Sequence, residues 1–266
     1  MADPSPETLH ALEAVANAMA DAAREAILPI FRSAALMTED KGEGRFDPVT
    51  AADRAAEKAM RDILARERPQ DAILGEEFGN TPGTSGFTWV LDPIDGTRAF
   101  LCGAPTWGVL IAVNAGAAPI LGIVDQPWTG ERFIGSARGA RLESRFGPRP
   151  LATREPRPLS DAILLTTFPE IGTDGERRRF ERVRDRVLLT RYGLDCYAYA
   201  LIAAGQIDLV IEAGLAPYDI QACQALITAA GGVVTTWDGG PAEGGGRILA
   251  AANAEIHAEA LALLSE

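Results

Sequence analysis

The stretch Trp89-Val90-Leu91-Asp92-Pro93-Ile94-Asp95-Gly96-Thr97 constrains this chain more than any other. A short apolar run leads into a carboxylate, a rigid proline, a second carboxylate and then Gly-Thr. Such a run reads as a buried strand. Asp92 then stands at the strand's carboxyl end, where open α/β sheets carry their ligands. Pro93 fixes its own φ and holds Ile94 and Asp95 in a defined turn. Gly96 permits close backbone approach. A helix opening at residues 95–97 would aim its first N–H groups at the point where the two carboxylates converge. Carboxylates bind hard cations and helix N-termini bind phosphate. The stretch therefore predicts a place where metal and phosphate meet.

A chain of 266 residues is long for one core and short for two independent ones. A single domain with two lobes is expected, one over residues 1–148 and one over 149–266, divided in the Pro- and Arg-rich segment Arg145–Pro158. Ser5-Pro6-Glu7-Thr8 is a helix start, and Leu9, Leu12, Ala16, Met19, Ala23, Ile27 and Ile30 continue it as an amphipathic helix to about Phe31. Met37–Asp47 is polar and Gly-rich and predicts a mobile loop. Thr50 caps a second helix to about Arg66, and Ala72–Gly75 predicts a brief strand delivering Glu76 and Glu77, followed by a loop at Gly79–Gly86. Strands are expected at Trp107–Val113, Pro119–Val124 and Arg132–Ile134. In the second half, strands at Ala162–Thr166, Val187–Thr190, Asp208–Ile211, Val233–Thr236 and Ile248–Ala251 alternate with helices at Asp174–Arg186, Cys196–Ala204, Tyr218–Ala230 and Ala254–Leu264. This alternation predicts an α/β, layered architecture. Gly239–Gly246 lies between two strand signals and reads as a surface turn.

Several chemistries are excluded. Lys and Arg number 25 against 37 Asp and Glu, a net charge of −12, which disfavours a nucleic-acid surface. Cys102, Cys196 and Cys223 form no CxxC and read as reduced core residues of a cytoplasmic protein. Met1–Pro6 is polar, so no secretory leader is expected, and no apolar run is long enough to span a membrane. His10 and His257 sit on terminal helices and read as solvated residues, which argues against a histidine zinc site and against Ser-His-Asp catalysis. No GxxxxGK[ST], GxSxG or strand-linked GxGxxG is present.

Carboxylate chemistry remains. Asp53, Glu76-Glu77, Asp92 with Asp95, and Asp219 all stand at the ends of elements. Singly, each has a plain structural role: Asp53 as a first-turn helix charge, Glu76-Glu77 as a solvated loop, Asp219 as a helix cap. Together they repel unless cations compensate them, so an oxygen-rich Mg²⁺ site is the economical explanation. Thr97 and Asp53 could then form a hydroxyl–carboxylate pair that takes a proton from an attacking water. An aspartyl-phosphate route is disfavoured, because its enzymes usually space the aspartates Asp-x-Asp rather than Asp-x-x-Asp.

Gly75-Glu76-Glu77, Asp92-Pro93-Ile94-Asp95-Gly96-Thr97 and Glu212 with Asp219 together resemble the inositol monophosphatase-like, Mg²⁺-dependent phosphatases. The likeness runs from Asp47-Pro48-Val49-Thr50-Ala51-Ala52-Asp53 to Ala251-Ala252-Asn253. It implies an αβαβα sandwich of the inositol monophosphatase and fructose bisphosphatase type, a homodimer, and hydrolysis of a small phosphate monoester by a metal-activated water. It further implies two or three Mg²⁺ held by Glu76, Asp92, the Ile94 carbonyl, Asp95 and Asp219. Asp53, Thr97 and Glu76 would serve catalysis, and the Gly96 and Thr97 N–H groups would hold phosphate. Glu77 is left between a third metal and a supporting place. Tyr218 departs from the family's usual tryptophan at that position. Arg45-Phe46-Asp47-Pro48-Val49-Thr50, Thr97-Arg98-Ala99-Phe100, Tyr192–Tyr199 and Gly214–Asp219 look like the histidinol-phosphate phosphatases of this type. Asp195 and Glu212 would pair with the ammonium of L-histidinol phosphate; an inositol phosphate would need hydroxyl partners, which Glu212 alone could offer. Asp195 reads equally well as a helix cap, Cys196, Tyr197 and Tyr199 read as core or wall, and Arg98 stands between a phosphate contact and a surface or dimer contact, the latter preferred.

Overall fold

Alternation along the central strands decides how the layers stack. This computed structural model describes residues 4–33, 38–40 and 48–265. Helix α1 (Pro6–Ile27) starts behind Ser5, whose hydroxyl accepts from the Thr8 N–H at 3.1 Å. A ribbon of β1 (Thr38–Asp40) and β2 (Pro48–Thr50) leads into α2 (Ala51–Glu67). Strands β3 (Ala72–Gly75), β4 (Gly79–Thr81) and β5 (Thr88–Asp95) follow, and a short helix, α3 (Thr97–Leu101), succeeds β5. Strands β6 (Gly108–Asn114), β7 (Pro119–Gln126), β8 (Glu131–Ser136), β9 (Gly139–Glu143) and β10 (Arg149–Leu151) complete a first sheet in the order 10-9-8-7-6-5-3-4.

The second half alternates: β11 (Ile163–Thr166), α4 (Asp174–Arg184), β12 (Leu189–Tyr192), α5 (Asp195–Ala203), β13 (Leu209–Leu215), α6 (Pro217–Ala229), β14 (Val233–Thr236), β15 (Gly246–Ala251) and α7 (Ala254–Ser265). Its strands form a second sheet in the order 12-11-13-15-14. Successive side chains of a strand face opposite ways, and each central strand feeds two cores. Trp89 and Leu91 of β5 pack with α1 and α2, while Val90 faces α5 and α6. In β13, Val210 joins that middle core, while Leu209 and Ile211 pack towards α4 and α7. The layers are therefore α1/α2, first sheet, α5/α6, second sheet and α4/α7, the expected αβαβα sandwich.

The differences from expectation lie mostly at edges. The loop expected at Gly79–Gly86 begins with β4, and the boundary expected at Arg145–Pro158 contains β10, paired antiparallel to β9. Both are short edge strands that carry Gly, Pro or Arg, so no alternation marks them. The unexpected β9 does alternate, with Ala140 and Leu142 buried, but over only five residues. Of the loop expected at Met37–Asp47, Thr38–Asp40 form β1 and the rest lies outside the described residues. His257 is buried rather than solvated, its Nε2 2.8 Å from the Thr235 hydroxyl, and burial lowers its pKa. Cys102 is exposed, whereas Cys196 and Cys223 are in the core. Among the described residues, no helix is long and apolar enough to cross a membrane.

Candidate functional site

Two strand ends, one from each sheet, open on the same cavity of about 750 Å³. The first is the end of β5. Its ladder with β6 shifts register between Asp92 and Asp95, so three residues of β5 advance against two of β6. Such a bulge re-aims side chains. The Asp92 carboxylate accepts from the Ile94 N–H at 3.0 Å and closes the turn over Pro93. The Thr97 hydroxyl donates to the Ile94 carbonyl at 3.1 Å. Gly96 has φ +84°, and a Cβ there would lie 2.7 Å from Cγ of Asp195, so both conformation and space demand glycine. Glu76 arrives from the end of β3, which runs parallel to β5, and its N–H donates to the Leu91 carbonyl at 3.2 Å.

The second is the end of β13. Here too the ladder, with β15, shifts register, between Glu212 and Leu215. Glu212 is buried, and its Oε1 accepts from the N–H and hydroxyl of Thr167 at 2.6 and 2.8 Å. Burial pushes its carboxyl up to about 7, with the Thr167 hydrogen bonds opposing. Asp219, in the first turn of α6, accepts from the Ala216 N–H at 2.7 Å. Asp195 opens α5, and it and Leu194 both have positive φ, 47° and 82°. Two consecutive non-glycine residues in that region hold backbone strain beside the cavity. Asp195 does not cap α5 itself. The Asp95 carboxylate accepts from the Cys196 N–H at 2.6 Å and so ties the two walls together.

The cavity is lined by Glu76, Asp92, Ile94, Asp95, Gly96, Thr97, Asp195, Glu212 and Asp219, nine of the ten expected site residues. The tenth, Asp53, is buried in the first turn of α2, where its Oδ2 accepts from the N–H and hydroxyl of Thr50 at 2.9 and 2.5 Å. Burial raises its carboxyl to about 6, the Thr50 bonds oppose this, and the nearby Glu77 charge adds to it. Thus the expected Asp53–Thr97 pair is not formed: each side chain is engaged with its own segment. Arg98 lines the cavity mouth and lies over the ring of Phe168, 5.5 Å from its centroid.

One ligand oxygen each from Asp92, Asp95 and Asp219 can be chosen within 4.8 Å of one another. Burial first, and then the charges of Glu76, Asp95 and Asp219, push the Asp92 carboxyl well above the usual carboxylate range. Burial and the charges of Asp195 and Asp219 do the same to Asp95. A hard divalent cation fits this donor set. All donors are oxygens, and the carboxylates cannot ionise together without a compensating charge.

Glu57 is a residue that the sequence reading missed. It is fully buried, and its carboxylate accepts from the N–H groups of Glu77 and Phe78 at 2.7 and 3.2 Å and from Arg61 at 2.8 Å. It thereby fixes the turn that presents Glu76. Gly75 makes this possible, since a Cβ there would overlap the Glu57 carboxylate. In sequence, Glu57 and Arg61 look like an ordinary surface pair four residues apart on a helix. The glycine before Glu76 is the one signal that points inward.

Comparison with known proteins agrees with this geometry. Residues 8–266 match the model of the inositol monophosphatase family. The chain is 45% identical over 228 residues to the bifunctional phosphatase IMPL2, chloroplastic, of Arabidopsis thaliana, an alignment covering 85% of this chain and 64% of that one. The chain thus spans less than two thirds of that relative. It is 34% identical over 254 residues to the histidinol-phosphatase of Mycobacterium tuberculosis, covering 94% of this chain and 96% of the relative. The solved structure of an inositol monophosphatase from Zymomonas mobilis aligns with a TM-score of 0.86 at 35% identity, covering 99% of this chain and 100% of that one.

Proposed function

The chain belongs to the inositol monophosphatase family, and from that premise we propose that it is a Mg²⁺-dependent phosphomonoesterase whose substrate is L-histidinol phosphate. It is a phosphatase acting on a small phosphate monoester. The observation that carries the finer reading is the charge inside the cavity. Asp92, Asp95, Glu76 and Asp219 gather where β5 ends, and a further acidic pair, Asp195 and Glu212, faces the same space. A substrate whose alcohol half bears an ammonium suits that second pair, since charge-assisted hydrogen bonds to carboxylates are the strong ones.

Glu76, Asp92, the Ile94 carbonyl, Asp95 and Asp219 would hold the metal, as two or three ions. Bound there, Mg²⁺ would offset the carboxylate charge, polarise the phosphoryl group and make water more acidic. The protein's own groups divide the rest. Gly96 and Thr97 offer backbone N–H groups to the phosphate. Thr97 directs a hydroxyl proton, and Asp53, raised to about 6, is the base that takes up a proton near neutral pH. That role requires the Thr97 hydroxyl to turn from the Ile94 carbonyl and the Asp53 carboxylate to share itself beyond Thr50. Glu57 keeps the turn carrying Glu76 in place.

An inositol monophosphate is the second reading, favoured by the likeness to the Zymomonas mobilis inositol monophosphatase over 99% of this chain; Glu212 would then accept from ring hydroxyls. The deciding experiment compares kcat/KM for L-histidinol phosphate and myo-inositol 1-phosphate with Mg²⁺ present. A large excess for L-histidinol phosphate is expected. A large excess for the inositol phosphate would overturn the substrate while leaving the phosphatase reading intact.

A further inference from the structure

Helix α5 brings a second side chain to the cavity beside Asp195. Tyr199 lies one turn further along, so the two share a helix face, and both line the cavity. Tyr199 is only 4% exposed. Among the described residues, its hydroxyl has no hydrogen-bond partner. A buried hydroxyl without a partner is unfavourable, and this one belongs to a residue on a cavity wall. Its surroundings also define what it would meet. Glu212, Asp95 and Asp219 line the same cavity and, with Cys223, act electrostatically on the phenol; the three carboxylates are acceptors when ionised. Asp195 and Glu212 can only accept from a ligand in that form, whereas the phenol is protonated at neutral pH and can donate.

We propose that Tyr199 is a specificity-determining residue whose hydroxyl donates a hydrogen bond to an acceptor atom on the alcohol half of the substrate. The substrate class is a phosphate monoester whose alcohol half carries both donors and an acceptor. Donors go to Asp195 and Glu212, and the acceptor goes to Tyr199. This rests on the phosphatase reading above and deepens it. In L-histidinol phosphate the donor is the ammonium and the acceptor is the unprotonated ring nitrogen of the neutral imidazole.

The test is a discrimination ratio, measured in wild type and Tyr199→Phe with Mg²⁺ present. Its numerator is kcat/KM for whichever of L-histidinol phosphate and myo-inositol 1-phosphate the wild type prefers. Its denominator is kcat/KM for n-propyl phosphate, whose alcohol half has no polar atom beyond the ester oxygen. The variant should lower the ratio about tenfold, through KM, and leave n-propyl phosphate unaffected. The melting temperature should stay level or rise, because the hydroxyl removed has no partner in the free protein. An unchanged ratio, an equal loss on both substrates, or a melting temperature several degrees lower would each overturn the proposal. A wild-type preference for inositol phosphate would defeat only the histidinol assignment, and the ratio would still judge Tyr199. Absence of turnover on all three esters would defeat both.

Discussion

The ends of β5 and β13 solve one structural problem with opposite emphasis. Each is a buried central strand that carries a carboxylate, Asp92 or Glu212. Each loses ladder register just beyond it and runs into a helix bearing another carboxylate or leading from one. At β5 the acids are crowded. Asp92 and Asp95 are three residues apart, with Glu76 and Asp219 adjoining, and the charges around them add to burial in pushing the carboxyls of the first two well above the usual carboxylate range. At β13 the acid is provided for, since Glu212 already accepts two hydrogen bonds from Thr167. A crowded set demands a cation from outside the chain. A satisfied one can wait for a ligand. On this account the first end governs the reaction and the second chooses the substrate.

The contrast breaks most severely at Asp92. Asp92→Asn removes a charge from the crowded end, and kcat should fall about a thousandfold or more, the scale of several kcal/mol of lost cation stabilisation. Steady-state assays across Mg²⁺ concentrations check this, and turnover near wild type would contradict it. The two ends touch at Gly96, so Gly96→Ala should disturb both. A side chain is strained at φ +84° and would meet the Asp195 carboxylate. A loss of about tenfold or more in kcat/KM on every phosphate ester is expected, with a destabilisation of about 1 kcal/mol or more, read by kinetics and thermal melts.

The satisfied end has a milder signature, in pH. The Glu212 carboxyl stands at about 7 in the fold against an ordinary 4.5. The folded state therefore binds this proton more tightly than the unfolded state does. The stability it contributes is fully present below about pH 4.5 and is lost as the pH rises through about 7. Metal-free melts from pH 5 to 8 should show a fall that Glu212→Gln makes shallower. An identical slope in the variant would show that Glu212 titrates elsewhere.

The two ends also differed in how legible they were. Asp92-Pro93-Ile94-Asp95-Gly96-Thr97 is local, and its strand, turn and glycine all sit within one stretch. The layered α/β class followed from strand and helix signals alternating in the second half, whereas the five-layer form was legible only through the resemblance to the family. Contacts made at a distance escaped. Glu57 looked like half of a surface ion pair until the fold brought Glu77 and Phe78 to it. His257 looked solvated on an amphipathic helix until Thr235 met its ring. Asp195 read equally as a substrate contact or a cap, but the side chain that meets the first turn of α5 is that of Asp95, a hundred residues earlier. The edge strands β4 and β10 lacked alternation because edge strands need bury little on either side, and β9 alternates over only five residues, too few to stand out.

The division of labour between the two ends is tested most directly by Asp195→Asn. Asn is tolerated at positive φ, so the strained backbone is preserved while the charge is removed. Kinetics on L-histidinol phosphate and myo-inositol 1-phosphate, with Mg²⁺ saturating, should show kcat/KM for the ammonium-bearing substrate falling about tenfold to a hundredfold, with the inositol ester changed only slightly. Equal losses on the two substrates would contradict the account, because Asp195 would then serve the reaction rather than the choice of substrate.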